Sequence, residues 1–270
     1  MIRSTKNPKI VALRKLKQRK HRRAQNRFAV EGLQLLGMAL ESGHAPLEIF
    51  YCQEQFTGQT AGPLLEKLAQ SGGNAYAVAA QVMSVLSERE SPQGIVATFP
   101  LFETDLNAML DAAPNPALLV VLDRLQDPGN LGTLIRTADA VAAAGVILIE
   151  PCVDPFDPKT VRGSMGSIFS LPLARIGQPQ ALFETLKQRG YRLAGADGYR
   201  GEIPWRSQIL RGNTALALGN EARGLSQDLR PHLTDWLRLP LLGRAESLNV
   251  AVAGGVLMYH WLQANGRIGE

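Results

Sequence analysis

Cysteine and long apolar runs are both scarce in this sequence. The two cysteines, Cys52 and Cys152, stand far apart and match no metal-binding spacing, so we expect neither a disulfide framework nor a metal site. No apolar run approaches the roughly 20 residues that a membrane-spanning helix requires. The basic residues after Met1 are not followed by the apolar segment of a signal peptide. These absences predict a cytoplasmic protein that does not enter a membrane.

Familiar catalytic signatures are missing as well. No predicted strand is followed by Gly-x-Gly-x-x-Gly, and no Gly-Lys-Ser/Thr phosphate-binding loop occurs. No Ser/His or Cys/His pair is evident, and the histidines are scattered at His21, His44, His232 and His260. The sequence therefore lacks the phosphate loop of the usual nucleotide-binding α/β enzymes, which argues against that class. We also expect no metal in the site.

Acidic residues are absent from the first 30 positions, where eleven Lys and Arg occur. The rest of the chain holds 18 basic and 24 acidic side chains, so the excess positive charge belongs to the N-terminus. Such a segment is typical of a contact with RNA or DNA phosphate, although a solvated charged helix would have the same composition. The predicted RNA contacts are Arg14, Lys15, Lys17, Arg19, Lys20, Arg22, Arg23 and Arg27.

The first 100 residues alternate between helical and strand patterns. Asn7-Pro8 can begin a basic helix over residues 8–23, with Ile10, Leu13 and Leu16 as a narrow apolar stripe. Strands are then predicted at 28–30, 47–52, 75–78 and 94–99, and helices at 32–41, 63–70 and 81–86. We therefore predict a small N-terminal α/β/α domain, with an RNA-binding role, over residues 1–100.

Residues 101–116, with two prolines, are predicted to be a linker, and a second strand–helix alternation fills residues 117–270. Its strands are predicted at 117–122, 146–149, 191–196, 214–218 and 236–240, and its helices at about 131–143, 158–168, 179–189, 225–230 and 247–264. Strands separated by helices indicate a mostly parallel sheet covered on both faces, so the fold class is α/β.

Three polar loops follow strands of this second domain, and we predict that they meet in one site. In the first loop, Asn130 can cap the following helix. Arg136 leans back over Gly132 toward the start of that helix. There it would reach Asp127 and Asn130, and its guanidinium would help to seat a phosphate. The alternative is a surface arginine paired with Asp127 or Asp139.

The second loop follows the apolar strand that ends at Leu218. Gly219 permits a close backbone approach, and Ser226 could cap a short helix. Glu221 stands at the carboxyl end of the strand, where it could orient a ribose hydroxyl or hold an arginine. A solvated glutamate in an ordinary turn would look the same.

The third loop leaves its strand at Leu239-Pro-Leu241. Ser247 is predicted to open the last helix, with Asn249 in its first turn, and simple capping is the alternative to ligand binding there. Inside that helix, Gly254 and Gly255 cost roughly 2 kcal/mol relative to alanines, which indicates that a backbone or a ligand packs very close.

Together these loops resemble the three signature motifs of the SpoU (TrmH-type) branch of the SPOUT RNA methyltransferases. The matching residues are Asn130-x-Gly132 with Arg136, Gly219-Asn-Glu221 through Gly224-Leu-Ser226, and Leu239-Pro-Leu241 followed by Ser247-Leu-Asn249-Val250. One departure is Ala222, where relatives often have glycine. The N-terminal part resembles the family's ribosomal-protein-like substrate-binding domain through Arg27-Phe28, Val30-Glu31-Gly32 and Ser91-Pro-Gln-Gly-Ile-Val96.

The resemblance implies S-adenosylmethionine as methyl donor and the 2′-hydroxyl of an RNA ribose as acceptor. It also implies a C-terminal trefoil knot and a homodimer whose site is shared between subunits. By similarity, the donor lies near Leu218, Gly219, Asn220, Leu239, Leu241 and Leu248. The catalytic or RNA-facing set would be Asn130, Arg136, Glu221, Ser247 and Asn249. Ribosomal RNA is the expected substrate; the alternatives are tRNA, or a non-catalytic RNA-binding protein of ribosome assembly.

Arg136 has two conceivable roles in such a reaction, as the base or as a cation. Deprotonating a guanidinium costs roughly 7–8 kcal/mol at neutral pH. We therefore expect Arg136 to bind the adjacent phosphate and to stabilise the developing alkoxide.

Overall fold

A computed structural model describes residues 1–56, 58–89 and 91–267. Thr57, Glu90 and residues 268–270 fall within the predicted domains but lie outside the described residues. The strands are β1 (Arg27–Glu31), β2 (Glu48–Tyr51), β3 (Asn74–Ala77), β4 (Ile95–Pro100), β5 (Leu118–Asp123), β6 (Gly145–Ile149), β7 (Leu173–Ile176), β8 (Arg192–Ala196), β9 (Thr214–Leu218) and β10 (Asp235–Leu237). The helices are α1 (Pro8–Lys15), α2 (Arg19–Gln25), α3 (Leu33–Glu41), α4 (Ala61–Gln70), α5 (Ala80–Leu86), α6 (Leu106–Asp111), α7 (Pro128–Ala140), α8 (Pro158–Gly163), α9 (Pro179–Gln188) and α10 (Val250–Ala264).

The chain divides into two compact units. Unit 1 comprises Met1–Phe102 and Asp154–Ser170, and unit 2 comprises Glu103–Val153 and Leu171–Glu270. This division differs from the predicted boundaries in two places. Residues 154–170 pack in unit 1 instead of the second domain, and the predicted linker contains α6 of unit 2.

Unit 1 contains a four-stranded sheet in the order β1-β4-β2-β3. Strand β4 is antiparallel to both β1 and β2, whereas β2 and β3 are parallel. Apolar side chains of α1 and α5 pack with those of β2 and β4 in one core cluster, which includes Ile10, Leu13, Phe50, Val82 and Val96. The amphipathic spacing of the helices thus supplies the cover that the sheet needs.

The basic helix predicted over residues 8–23 is two helices, α1 and α2, separated at residues 16–18. The physical reason is Arg22. Its Nη1 donates hydrogen bonds to the carbonyls of Leu16 (2.7 Å) and Lys17 (3.0 Å), which a continuous helix would use for its own backbone.

The same arginine holds the segment that returns to unit 1. Arg22 is only 2% exposed, and its Nε and Nη2 lie 2.9 and 2.7 Å from Oδ2 of Asp154. Nearby, the rings of Phe28 and Phe156 lie 4.7 Å apart between centroids. A buried ion pair and an aromatic cluster therefore place residues 154–170 in unit 1.

Unit 2 contains a six-stranded sheet in the order β10-β8-β9-β5-β6-β7, in which every pair is parallel. All residues of β5, β6 and β9 are buried, as expected for central strands covered on both faces. The predicted α/β class with a mostly parallel sheet is confirmed. Strand β7 was not predicted, and the helix predicted over 225–230 is absent because those residues form turns.

The last helix, α10, packs on α7. A Cβ atom at Gly254 would lie 2.6 Å from Cδ2 of Leu134 and 2.7 Å from Cδ1 of Leu218, so only glycine fits there. At Gly255 the nearest atom, Cγ2 of Thr137, would be 3.8 Å away. Close packing within this chain is therefore found at Gly254, where the neighbours are side chains and not the predicted backbone or ligand; at Gly255 the prediction stays a prediction. Across the described ranges, no helix has the length and apolar character to cross a membrane.

Candidate functional site

The parallel sheet of unit 2 brings the carboxyl ends of its strands to one edge, and the first two predicted loops start there. Asp123, the fully buried last residue of β5, joins them: its Oδ2 accepts a hydrogen bond of 2.6 Å from the backbone N–H of Ser226. Asp123 was not among the predicted site residues. An acidic residue at the end of an apolar strand was the signal available to find it.

All three loops meet in one chain of hydrogen bonds, as predicted. Asn130 Nδ2 donates to Oε1 of Glu221 at 3.0 Å, and Asn249 Nδ2 donates to Oδ1 of Asn130 at 2.9 Å. Asn249 Oδ1 accepts from the backbone N–H groups of Ala251 (2.8 Å) and Val252 (3.3 Å). We call this the Glu221–Asn130–Asn249 network.

The two ends of this network fix the orientation of both amides. A carboxylate can only accept a hydrogen bond and a helix N–H can only donate one, so the direction of each link is determined. Glu221 also lies 3.4 and 3.3 Å from the backbone N–H groups of Gln126 and Asp127. Within the described part of the chain, each amide nitrogen retains one hydrogen that no bond uses. The network thus presents two oriented N–H donors beside a carboxylate.

The helix caps differ from those predicted. Asp127, not Asn130, caps α7, and its Oδ1 accepts from the Asn130 N–H at 2.7 Å. Asn249, not Ser247, caps α10. The side chains of Asp127 and Asn249 accept the hydrogen bonds from the backbone N–H groups at the two helix starts. The side chain of Asn130 is therefore free to bond with Glu221 and Asn249. Ser226 caps no helix.

The second loop folds back tightly on itself. Asn220 and Gly224 exchange backbone hydrogen bonds of 3.0 and 2.9 Å, and Asn220 Oδ1 accepts from the N–H groups of Ala222 and Arg223. A Cβ atom at Gly219 would lie 2.2 Å from the carbonyl carbon of Gly224, which no side chain could tolerate. This fold presents Glu221 to the first loop. It also uses both the side chain and the backbone N–H of Asn220 within the protein, so the predicted contact of Asn220 with the donor is not supported.

Arg136 lies on α7, where it is exposed. In the described residues it forms no hydrogen bond or ion pair, so neither the predicted contact with Asp127 and Asn130 nor the alternative pairing with Asp139 is present. A guanidinium without a partner on the surface of this helix is available to an anion from outside the chain.

The third loop has an unusual backbone. Between residues 239 and 248, no main-chain group is hydrogen-bonded to another described residue. Leu239 and Leu241 are half-buried, whereas Ser247 and Leu248 are exposed. Within the described residues Ser247 forms no hydrogen bond with Asn130, Glu221 or Asn249, so the network joins three of the five predicted catalytic residues.

The predicted donor residues offer a nucleoside-like ligand mainly main-chain groups and apolar side chains. The side chain of Leu218 is buried, so its contribution is limited to its main chain. The free main-chain groups of 239–248 and the half-buried Leu239 and Leu241 offer polar and apolar contacts of the kind that such a ligand needs. In the described ranges, His, Cys, Asp and Glu side chains form no group of three that could hold a metal ion.

The predicted RNA contacts of unit 1 fall into two groups. Arg22 is buried on Asp154, and Arg27 is half-buried on Glu48, so we correct both to structural residues. Burial raises the pKa of the Glu48 carboxyl, but hydrogen bonds from Lys9 and Arg27 outweigh this and hold it below its ordinary value. The side chains that stay exposed are Arg14, Lys15, Lys17, Lys20 and Arg23; Arg19 is half-buried.

Two family models match this chain. A model of the SpoU rRNA Methylase family matches residues 117–259, and a model of the MRM3-like substrate binding domain matches residues 7–97. The first contains all three loops of the site, and the second contains the exposed basic residues.

Individual relatives match over almost the whole chain. The 23S rRNA (guanosine(2553)-2'-O)-methyltransferase RlmP of Bacillus subtilis is 36% identical over 259 residues, covering 96% of this chain and 98% of that protein. The SpoU methyltransferase AviRb from Streptomyces viridochromogenes, in complex with AdoMet, has a TM-score of 0.87 at 29% identity and covers 98% of this chain and 99% of that one. An AdoMet-bound rRNA methyltransferase from Sinorhizobium meliloti has a TM-score of 0.84 at 33% identity, covering 97% of each chain. The loops, the parallel sheet and these matches together show that the chain belongs to the SpoU rRNA methylase family.

Proposed function

We propose that this protein methylates a ribose 2′-hydroxyl of RNA with S-adenosylmethionine as the methyl donor. The observation that carries the proposal is the Glu221–Asn130–Asn249 network, which joins three separate loops at one edge of the sheet. A fixed array of N–H donors beside a carboxylate can orient a ribose and its adjacent phosphate. AdoMet-bound relatives support the choice of donor.

Bound S-adenosylmethionine would supply a methyl group for in-line transfer to the ribose oxygen. The carbon–oxygen bond would form as the carbon–sulfur bond breaks, with S-adenosylhomocysteine leaving and the hydroxyl proton passing to water. The chain itself has to place that oxygen and to favour its loss of a proton. The free amide hydrogens of Asn130 and Asn249 would hold the acceptor nucleotide, and Glu221 would keep both amides in position. Arg136 would bind the adjacent phosphate and stabilise the developing alkoxide as a cation.

A homodimer would bring Arg136 into a complete site. Leu248 is exposed, and α10 continues its apolar stripe with Val252, Val256 and Tyr259, whose exposed fractions are 54%, 42% and 51%. Residues spaced four, four and three apart share one face of a helix, and such a stripe is typical of a subunit interface. We propose that two copies pair along this stripe and that Arg136 serves the partner's site. The trefoil knot stays a prediction.

Ribosomal RNA, and 23S rRNA in particular, is the substrate we favour, because the relative from Bacillus subtilis is named for that RNA. We propose the cytoplasm as its compartment, because ribosomal RNA is found there. The exposed basic residues of unit 1 would hold structured RNA through its phosphates, while unit 2 acts on the ribose. A tRNA substrate is the alternative.

The test is to map 2′-O-methyl groups in total RNA with and without this gene. We expect one site to disappear and to return with the wild type and with Arg211→Ala, an exposed arginine at the opposite end of β9. Arg136→Ala should leave the site unmethylated. If the RNA from cells without the gene retains every 2′-O-methyl group, the proposal is contradicted. Calorimetry that shows no donor binding to the purified protein would instead favour a non-catalytic RNA-binding protein.

A further inference from the structure

An aromatic and arginine cluster follows strand β8, and the proposed site does not use it. Tyr199 is 83% exposed. The guanidinium carbon of Arg200 lies 3.4 Å from the ring centroid of Trp236, so one face of the guanidinium rests on the indole. The side chain of Arg200 is nevertheless 49% exposed, which leaves its other face open. We call Tyr199, Arg200 and Trp236 the stacking cluster.

Hydrogen bonds and close packing fix the backbone of the loop that carries Tyr199 and Arg200. Asp197 Oδ1 accepts hydrogen bonds from the N–H groups of Tyr199 (2.9 Å) and Arg200 (3.3 Å), and its Oδ2 lies 3.6 Å from Arg200 Nε. A Cβ atom at Gly201 would lie 2.4 Å from the carbonyl oxygen of Trp236, so the loop is pressed against β10. A loop whose backbone is already fixed loses less conformational entropy when a ligand binds.

The location of the cluster connects it with the site. Strand β8 lies between β9 and β10 in the sheet, and all strands are parallel. The loop after β8 therefore emerges at the same edge as the loop that carries Glu221 and the segment that begins at Leu239. A ligand held at that edge can extend over the cluster.

We propose that Tyr199 and Arg200 stack on an unpaired base of the RNA substrate, next to the ribose that is methylated. The inference rests on the proposed function. Aromatic rings and arginine planes are the groups on which proteins stack splayed-out RNA bases. The methyl donor also carries a purine, but it carries a sulfonium cation too. The positive charge of Arg200, with Arg230 4.0 Å from the same Asp197, favours a phosphate-bearing ligand over a cationic one.

The variants separate stacking from charge. Arg200→Lys keeps the positive charge and removes the planar group. Tyr199→Ala removes the ring, and Tyr199→Phe keeps it. Arg192→Lys is the matched control, because Arg192 starts the same strand at the opposite end, is 43% exposed and lies 3.8 Å from Asp235.

The readout is the affinity of the full-length protein for a fluorescent oligoadenylate, compared with an abasic oligomer of the same length and charge. Fluorescence anisotropy should show that the wild type prefers the oligoadenylate. Arg200→Lys and Tyr199→Ala should each reduce that preference by about 5- to 150-fold, the range for one stacked base. Tyr199→Phe and Arg192→Lys should retain it, and the salt dependence of Arg200→Lys should match that of the wild type.

Several results would overturn the inference. One is a preference for the oligoadenylate that is equal in the wild type and all variants. Another is a loss of that preference in Arg192→Lys as large as the loss in Arg200→Lys. A loss of affinity for S-adenosylmethionine instead of the oligoadenylate would assign the cluster to the donor. Failure of the proposed function looks different: RNA methylation would be unaffected by the gene, whereas the base preference measured here needs no methyl transfer.

Discussion

Replacing Asn130 by aspartate tests whether Asn130 and Glu221 are as close as the network requires. The substitution keeps the size of the side chain but puts a carboxylate oxygen where Nδ2 now donates to Glu221 at 3.0 Å. Two carboxylates then face each other without a proton between them. Asn130→Ala is the control, since it removes the same hydrogen bond and adds no charge.

The repulsion can be calculated from that distance. Two unit charges 3.0 Å apart interact by about 1.4 kcal/mol at the dielectric constant of water and about 5.5 kcal/mol at an effective value of 20. Because Glu221 is exposed, solvent screening favours the lower end, about 1–2 kcal/mol. That energy raises the pKa of the introduced carboxyl by about one unit, from about 3.9 to about 5.

The expected pH dependence follows from this shift. With its folded-state pKa above the unfolded value, the introduced carboxyl favours folding in its protonated form, and the variant loses stability as the pH rises through about 5. Urea unfolding between pH 4 and pH 7 measures it. Relative to Asn130→Ala, the free energy of unfolding of Asn130→Asp should fall by about 1–2 kcal/mol across that range. A difference that stays constant with pH would refute the close contact with Glu221.

Three further predictions concern packing and burial. Gly254→Ala should lower the free energy of unfolding by about 1–3 kcal/mol through overpacking, whereas Gly255→Ala should lower it less, because the nearest atom of the same chain would be 3.8 Å from the added Cβ; equal effects in chemical denaturation would contradict the α7–α10 packing. Arg22→Ala should cost about 3–5 kcal/mol by breaking the buried ion pair, and Arg23→Ala, on the exposed side of the same helix, less than about 0.5 kcal/mol; a small effect at both positions would show that Arg22 is solvated. Burial raises the pKa of the Cys152 thiol to about 11, so iodoacetamide at pH 8 should label it only in denaturant, and rapid labelling of the native protein, located by mass spectrometry, would show that it is accessible.

The meeting of the three loops could be predicted from the sequence because each follows a buried strand of a parallel sheet, and such strands end at one edge. The partner of each side chain could not. Both Asp127 and Asn130 are good helix caps, and so are Ser247 and Asn249. Pro128 suits the first helical position, which makes Asp127 the cap of α7. The choice of cap decides whether Asn130 is free to join Glu221.

In unit 1, the sequence likewise could not predict which distant residues form pairs. A charge run indicates which segment is basic, but it does not tell which arginine is buried, because the partner Asp154 is 132 positions away from Arg22. The local pattern of residues 158–168 predicts a helix there, and α8 confirms it in part. Which unit that helix joins depends on Arg22 and on the ring of Phe28, so periodicity could not have revealed it.

The discontinuity of unit 1 has a consequence for folding during synthesis. Arg22 and Phe28 are made early, but their partners Asp154 and Phe156 belong to the segment that ends at Ser170. At about 5–20 residues per second, a ribosome reaches Ser170 roughly 3–14 s after Phe102. Throughout that interval the N-terminal unit has an unpaired arginine and an incomplete aromatic cluster. Its completion therefore waits until β5 and β6, the first two strands of the C-terminal sheet, have been synthesised.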